Sequence, residues 1–281
     1  MKSKIEEESQ TYPDLDDFFS PQELAEALEA AKDLTPVDDK ITVPVIRHLS
    51  PTVKSMLVKI INKSWEVSYL PPEWKSYHSL VAPIMKPGKP PSSYRPIALT
   101  SCACKLMERM VHRRMSWYLE QNKLLAEEQI GFRSKRGTID NLIRMEHSIQ
   151  EAKSSGQYVV AITLDLEKTY GLIWTKGLIF KLHQLGIKGR TLGWIRDFLS
   201  DRSFEVKDGN GRSEKRFLKN DTPQGSVISP LLFVIMVNDL PKSIRCSYSG
   251  MYAEDMIIWG QNKNLSILQK EIEADASSAL K

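Results

Sequence analysis

Apolar and polar residues recur along the chain in patterns that predict a mixture of helices and strands. Ser20-Pro21-Gln22-Glu23 predicts a helix start, because Ser20 can cap it, Pro21 suits the first turn and Glu23 completes a capping box. Apolar residues at helical spacing predict further helices in seven places. These are residues 46–67, 104–121, 138–153, 176–185, 190–199, 229–238 and a last helix from 265.

Short apolar runs bounded by turn residues predict the strands. Residues 79–101 predict a strand pair around a Lys-, Pro- and Gly-containing turn, and 158–165 predicts a single strand. Two further hairpins are predicted, one formed by 203–206 with 215–218 and one within 251–259. Hairpins in place of regular strand–helix–strand units indicate the α+β class.

Composition limits the kind of protein more than it identifies a function. A chain of 281 residues with 41% hydrophobic and 26% charged residues can bury a core as one large domain or two subdomains. It contains no apolar run of membrane-spanning length and no apolar signal region near Met1, so we expect an intracellular protein, cytoplasmic or nuclear, with no membrane partner. Cys102, Cys104 and Cys246 form no CxxC pair, which favours free thiols in a reducing compartment.

Charge is distributed unevenly along the chain. Residues 1–40 hold 4 Lys/Arg and 12 Asp/Glu, a net charge of −8, whereas the remaining residues hold 35 and 23, a net charge of +12. We expect residues 1–19 to be a poorly ordered acidic leader. A basic body is compatible with a polyanionic partner such as nucleic acid, although an excess of this size is more typical of an ordinary solvated surface.

Two strand-like apolar runs contain carboxylates. Asp165 closes the run from Tyr158, and Glu254 with Asp255 lies inside the run from Met251 to Trp259. Buried carboxylates are costly unless a cation or donor pairs with them. Side by side, the two strands would gather all three carboxylates into an oxygen-rich site of the kind that suits Mg²⁺ and two-metal phosphoryl transfer. Taken alone, each acidic residue is more typical of a capped strand end or a turn.

Six segments together resemble one family, the reverse transcriptases of non-LTR (LINE-type) retrotransposons. The resemblance covers most of the chain, and the segments stand in the family's order with family-like gaps. They are Pro71-Pro72-Glu73-Trp74-Lys75, Ser93-Tyr94-Arg95-Pro96-Ile97, Gln129-Ile130-Gly131-Phe132-Arg133, Asp165-Leu166-Glu167-Lys168-Thr169-Tyr170, Thr222-Pro223-Gln224-Gly225-Ser226 and Tyr252-Ala253-Glu254-Asp255.

This resemblance implies the fold of a right-hand polymerase. It places N-terminal helices and fingers at 20–157 and the palm at 158–281. The family continues beyond this point with the rest of the palm and a thumb, so the resemblance implies a palm truncated at its C-terminal end and a missing thumb. An uncovered sheet edge and apolar face would then make the isolated chain poorly soluble.

The resemblance also implies an activity, RNA-directed DNA synthesis from an RNA template, a DNA primer and dNTPs, with Mg²⁺ as the cofactor or Mn²⁺ as the alternative. The metal ligands would be Asp165, the Leu166 carbonyl, Glu254 and Asp255, with the three carboxylates forming the catalytic centre. Substrate contacts would come from Lys86, Arg95, Tyr170, Gln224 and Gly225. Outside the family context, Lys86 and Arg95 are more typical of surface charges and Tyr170 of a core aromatic. The sequence does not fix an oligomeric state.

One residue departs from the family at the centre of this site. The family's hairpin reads Tyr/Phe-Ala-Asp-Asp, and this chain has Glu254 at the first of the two Asp positions. Because Glu is one methylene longer than Asp, we expect impaired catalysis with retained charge. The alternative is a catalytically dead remnant of a retroelement, or a fragment that only binds nucleic acid.

Overall fold

The computed structural model describes residues 15–32, 41–83, 94–166, 173–208, 211–217 and 222–280, without the side chains of 77–83, 94–96 and 207–208. These ranges contain both helices and strands, mostly in groups of one kind. The helices are α1 Pro21–Glu29, α2 Val43–Arg47, α3 Pro51–Val67, α4 Pro72–Lys75, α5 Cys102–Gln121, α6 Thr138–Ser154, α7 Thr175–Gln184, α8 Gly189–Leu199, α9 Ser229–Met236 and α10 Leu265–Ala279. The strands are β1 Ser76–Pro83, β2 Tyr94–Leu99, β3 Tyr158–Asp165, β4 Ser203–Asp208, β5 Gly211–Arg212, β6 Arg216–Phe217, β7 Tyr248–Tyr252 and β8 Asp255–Asn262.

The strands form two separate sheets. In the first, the order is β2-β1-β4-β5, with β6 also paired to β4, and β1 runs antiparallel to β2 but parallel to β4. In the second, β8 lies between β3 and β7, and both pairings are antiparallel. The predicted α+β mixture of helices and hairpins is confirmed.

Helix starts follow the predicted capping chemistry. At α1 the Ser20 side chain accepts from the Glu23 amide and the Glu23 side chain accepts from the Ser20 amide, so the capping box is complete. The single helix predicted over 46–67 is wrong, because two helices occupy this region. Ser50 caps the second one and Pro51 opens it, since proline tolerates only a first-turn position.

The predicted hairpin of 203–206 with 215–218 is only partly correct. Ser203 and Phe204 do pair with Phe217 and Arg216. However, β4 continues to Asp208, where it pairs with β5 in a tighter hairpin. The same strand also pairs with β1, so this region belongs to the sheet built on the predicted 79–101 strand pair.

A large apolar core joins the helices, and a smaller one lies against the second sheet. In the large core Trp65, Trp194 and Phe198 are fully buried and their rings lie in sequence, with centroid distances of 6.2 and 5.3 Å. The smaller core contains Met251, Met256, Ile258 and Ala276, which places α10 against one face of the sheet β3-β8-β7.

The leader was expected to extend to residue 19, and this boundary is too late. Residues 1–14 lie outside the described ranges, but the segment from Leu15 is packed. The Phe19 ring lies 4.9 Å from the Trp65 ring and is 3% exposed. The Asp16 carboxylate accepts from the amide and hydroxyl of Thr191 at the start of α8. Apolar burial and helix capping therefore hold this acidic segment against the body.

Each helix in the ranges that the structure covers is too short or too polar to span a membrane. All three cysteines are free, as predicted, with Cys102 and Cys104 buried and Cys246 exposed.

Candidate active site

The acidic hairpin is formed by β7 and β8, which are joined by a two-residue turn. Tyr252 and Asp255 are the last register partners, so Ala253 and Glu254 make the turn. Ala253 has a φ of 54°, in the left-handed region that residues with a Cβ atom seldom adopt. The turn therefore needs support from its surroundings.

Asp165 lies beside this hairpin. It is the last residue of β3, and its register partner across the antiparallel pair is Asp255. The following amide, of Leu166, donates to the Glu254 carbonyl over 3.4 Å. The predicted adjacency of the two acidic segments is thus observed, with Asp165 and Asp255 on the same face of the sheet.

The expectation that these carboxylates are buried is wrong. Asp165 and Asp255 are exposed and Glu254 is half-buried. In β3 the exposed and half-buried positions alternate towards Asp165, because only one face of the sheet packs on the core. Their exposure leaves these charges solvated.

An open cleft of about 410 Å³ includes both aspartates. Its lining combines apolar residues of α6 with the sheet face that carries the carboxylates. Thr163 and Ile257 are register partners in this lining. Sequence reasoning did not select Thr163 or Tyr252. Thr163 lies two positions before Asp165 on the same strand, so it shares a face with Asp165 and could have been predicted from it. Tyr252 is the register partner of Asp255 and shares the same face of the sheet.

Asp165 and Asp255 supply the ligand type that a divalent cation prefers. Like charges opposite each other on neighbouring strands destabilise a sheet, and carboxylate oxygens are preferred ligands of Mg²⁺. Glu254 does not complete a set with them, since among the described residues no three Asp, Glu, His or Cys side chains are arranged around one metal position. Of the three carboxylates expected to share one site, the structure places Asp165 and Asp255 opposite each other.

The Gln224-Gly225 turn lies against strand β2. The Gln224 carbonyl accepts from the Ala98 amide at 2.7 Å. Gly225 has a φ of 110°, and a Cβ atom there would lie 3.0 Å from the Ala98 carbonyl oxygen. Glycine is thus required by the backbone conformation and by a close approach of the chain to itself.

Two backbone amides immediately before α9 donate to a buried carboxylate. The Glu108 carboxylate, which is fully buried, accepts from the amides of Val227 and Ile228 at 2.7 and 3.3 Å. It also accepts from the Ser226 hydroxyl at 2.5 Å. Glu108 therefore fixes the loop that carries Gln224 and Gly225.

Sequence reasoning missed Glu108, because the sequence of α5 has the pattern of a basic amphipathic helix. The only sequence signal was its position among apolar residues of α5. Its charge affects a neighbour: burial, and then the Glu108 carboxylate, raises the pKa of the Cys104 thiol. Cys104 is therefore a neutral core residue, not a nucleophile.

Other candidates for phosphate contact have different outcomes. The Arg133 side chain, in one of the family-like segments, is buried and forms a two-bond ion pair with Glu120. Lys86 and Tyr170 lie outside the described residues. Arg95 belongs to β2, where it is the register partner of Ala82, but its side chain is not among those described.

Comparison with known proteins identifies the family. Residues 84–278 match the family described as "Reverse transcriptase (RNA-dependent DNA polymerase)". The matched region includes both sheets except the first strand, and it contains Asp165, Glu254 and Asp255.

Curated relatives come from insects. The chain is 32% identical over 230 residues to the "Probable RNA-directed DNA polymerase from transposon BS" of Drosophila melanogaster, covering 79% of this chain and 25% of that protein. It is 30% identical over 238 residues to the "RNA-directed DNA polymerase from mobile element jockey" of the same species, covering 84% and 25%. The chain therefore spans about a quarter of the length of these relatives.

A solved structure has a similar fold. The structure of telomerase from Candida albicans in complex with a TWJ fragment of telomeric RNA superposes with a TM-score of 0.50 at 13% identity. The match covers 74% of this chain and 42% of the telomerase chain. At this identity the likeness supports a polymerase-like fold and carries no information about ligands.

Proposed function

Because this chain belongs to the reverse transcriptase family and carries the reverse transcriptase domain of a non-LTR retrotransposon, we propose that it acts as an RNA-directed DNA polymerase on an RNA template with a DNA primer and dNTPs. One observation carries the proposal. Asp165 and Asp255, distant in sequence, are register partners on neighbouring strands at the mouth of a cleft. In this proposal residues 20–157 hold the N-terminal helices and fingers and residues 158–281 hold the palm, and β4 of the second part pairs with β1 of the first.

Mg²⁺, or Mn²⁺ in its place, would be held by Asp165 and Asp255, with the Leu166 carbonyl and Glu254 as further candidate ligands. Bound there, the ions would activate the primer 3′-hydroxyl and stabilise the charge that develops on the phosphate. The two aspartates would orient these oxygens. Their exposure suits this role, because substrate must reach the same face of the sheet.

The remaining substrate contacts are proposed from the family's motifs. Arg95 and Lys86 would neutralise the triphosphate, with Arg95 as the bidentate donor. Tyr170 would pack beneath the sugar and disfavour a 2′-hydroxyl. Gln224 would approach the template or the incoming base, and Gly225 would hold its turn against β2.

Glu254 would weaken catalysis without abolishing the charge of the site. Its extra methylene would displace the carboxylate by roughly 1 Å on a fixed turn, and a misplacement of this size costs on the order of a hundredfold in rate. Octahedral Mg²⁺ sites are also strict in geometry. This residue is the observation that favours the second candidate function, a remnant that binds nucleic acid without polymerising.

Single-nucleotide primer extension tests the proposal. We would compare wild type, Glu254→Asp and Asp165→Asn with Mg²⁺ and with Mn²⁺, and use Asp201→Asn as an exposed-turn control. We expect weak primer extension by wild type and no extension by Asp165→Asn. For Glu254→Asp we expect the extension rate to rise by up to about a hundredfold. Strong wild-type extension with Mg²⁺, unchanged in Glu254→Asp, would show that the site accepts Glu.

The second candidate is separated by a binding measurement on the same variants. If no variant extends a primer but the chain still binds primer–template with steep salt dependence, it is a binding fragment, because phosphate neutralisation releases counterions. Absence of both extension and salt-dependent binding would contradict both functions.

A further inference from the structure

The turn of the acidic hairpin is held by one side chain from a distant part of the chain. Gln129 is fully buried. Its Nε2 donates to the Ala253 carbonyl at 3.2 Å, and its Oε1 accepts from the Ala253 amide at 3.1 Å. The same Oε1 accepts from the Gly131 amide at 2.9 Å. One amide group therefore satisfies both backbone polar groups of the residue that has a left-handed conformation.

Backbone pairing on both sides fixes where this amide lies. The Met251 amide donates to the Glu128 carbonyl at 2.8 Å, and the Ile130 amide donates to the Met251 carbonyl at 3.0 Å. The segment 128–130 thus runs beside β7 as a short parallel bridge. Gly131 completes the contact, because a Cβ atom at this position would overlap the Ala253 amide nitrogen.

The segment is in turn attached to helix α5. The Arg133 guanidinium donates to the Gln129 carbonyl at 3.0 Å and to the Ala126 carbonyl at 2.7 Å. Its other nitrogens donate to the Glu120 carboxylate at 2.7 and 2.6 Å. Hydrogen bonds therefore connect the helix to the hairpin turn through Arg133 and Gln129.

From this geometry we infer that Gln129 is a positioning residue, which holds the Ala253-Glu254 turn so that Asp255 stays aligned with Asp165. The left-handed conformation is unfavourable for a residue with a Cβ atom, so an unsupported turn would relax or fluctuate. Catalytic groups need to be held within about 0.5 Å of their productive geometry. The two hydrogen bonds from Gln129 to Ala253 can supply that restraint. Ala253 directly precedes Glu254 and lies two residues before Asp255.

The effect of Gln129 on catalysis rests on the proposed function, but its restraint of the Ala253-Glu254 turn does not. The direct test is amide hydrogen exchange of peptides covering 248–260, compared with peptides covering α5. Gln129→Met removes the amide at similar length, and Gln150→Met, on an exposed position of α6, is its matched control. Gly131→Ala disturbs the same contact sterically, and Gly137→Ala is its control because nothing lies within 4 Å of a Cβ atom there.

We expect exchange in 248–260 to be roughly tenfold or more faster in Gln129→Met and Gly131→Ala, with the α5 peptides unchanged. Hairpin exchange equal to that of the controls would overturn the inference. If Gln129→Met unfolds the whole chain, hydrogen exchange of 248–260 is compared between Gly131→Ala and Gly137→Ala instead. Equal exchange in these two variants would overturn the inference.

Primer extension provides a second readout where activity is present. A positioning role predicts a lower kcat for Gln129→Met with the KM for dNTP nearly unchanged, because the restraint acts on the metal-binding hairpin. If wild type has no polymerase activity, the exchange result still stands, so failure of the proposed function and failure of this inference are distinguishable.

Discussion

Asp165 and Asp255 are register partners at the end of an antiparallel strand pair, so two exposed carboxylates of the same sign lie opposite each other. Such a pair destabilises the sheet when no cation is bound. The sheet therefore gives up some stability at the position where the proposed chemistry needs negative charge.

Asp165→Asn should stabilise the metal-free chain by roughly 0.2–1 kcal/mol, because it removes the repulsion. In wild type, Mg²⁺ at about 100 times its dissociation constant should add about 2.7 kcal/mol, and the variant should lose most of this gain. Denaturant unfolding with EDTA and with Mg²⁺ measures both effects. Asp201→Asn controls for removing an exposed charge, and equal Mg²⁺ stabilisation in Asp165→Asn would contradict metal binding here.

Substitutions of Glu108 should show a graded loss of stability. Glu108→Leu leaves the hydroxyl of Ser226 and the amides of Val227 and Ile228 without their acceptor. Since each buried unsatisfied group costs roughly 1–3 kcal/mol, the total loss should exceed about 3 kcal/mol. Glu108→Gln keeps one acceptor oxygen and should lose less than half as much.

Chemical denaturation of these variants measures the loss, with Glu127→Leu, at an exposed position after the end of α5, as the control. Equal effects of Glu108→Leu and Glu127→Leu would show that the α9 loop does not depend on this carboxylate.

Two adjacent phenylalanines test the packing of the segment before α1. Phe19 is 3% exposed beside Trp65, whereas Phe18 is 50% exposed and contacts Arg190 through its ring face. Phe19→Ala should cost about 3–5 kcal/mol, and Phe18→Ala less than about 1 kcal/mol. Thermal unfolding of the two variants provides the comparison, and similar Tm values would show that the segment belongs to a loose leader.

His112 should make stability dependent on pH. Burial, and then the positive charge of Arg109, lowers the pKa of His112 from 6.5 to about 4. The unfolded chain therefore takes up a proton at higher pH than the folded chain does. Stability should fall as pH drops from about 6.5 to about 4, and this contribution should be fully present above that window.

The test compares the free energy of unfolding at pH 7 and pH 5 for wild type and His112→Gln, with exposed His147→Gln as the control. Wild type and His147→Gln should lose more stability than His112→Gln. An equal loss in all three chains would assign the pH dependence to other groups.

Local sequence signals predicted much of the fold. The capping residues Ser20 and Glu23, and the apolar spacing of α5 and α8, depend on neighbours within one or two turns, so they could be predicted from the sequence. The break at Ser50-Pro51 was missed because apolar spacing continues across it. Family motifs predicted the adjacency of Asp165 and Asp255, which local pattern alone leaves open.

The residues that support the site could not be predicted in the same way. Gln129 contacts Ala253 at a separation of 124 residues, and Glu108 contacts Ser226 at a separation of 118. In sequence, Gln and Glu look like solvated residues of a loop and a helix. Their burial depends on which chain segment packs opposite, and hydrophobic periodicity does not encode that partner.

The strand order β3-β8-β7 has a practical consequence for handling the protein. The segment 128–130 pairs along β7, but no described strand pairs with the outer edge of β3. That edge is formed by Tyr158-Val159-Val160-Ala161-Ile162-Thr163-Leu164, a run with no charge, proline or glycine. Such an edge is a template for intermolecular strand addition. A lysine at the exposed Ala161 would act as a gatekeeper against fibrillar aggregation during purification and storage.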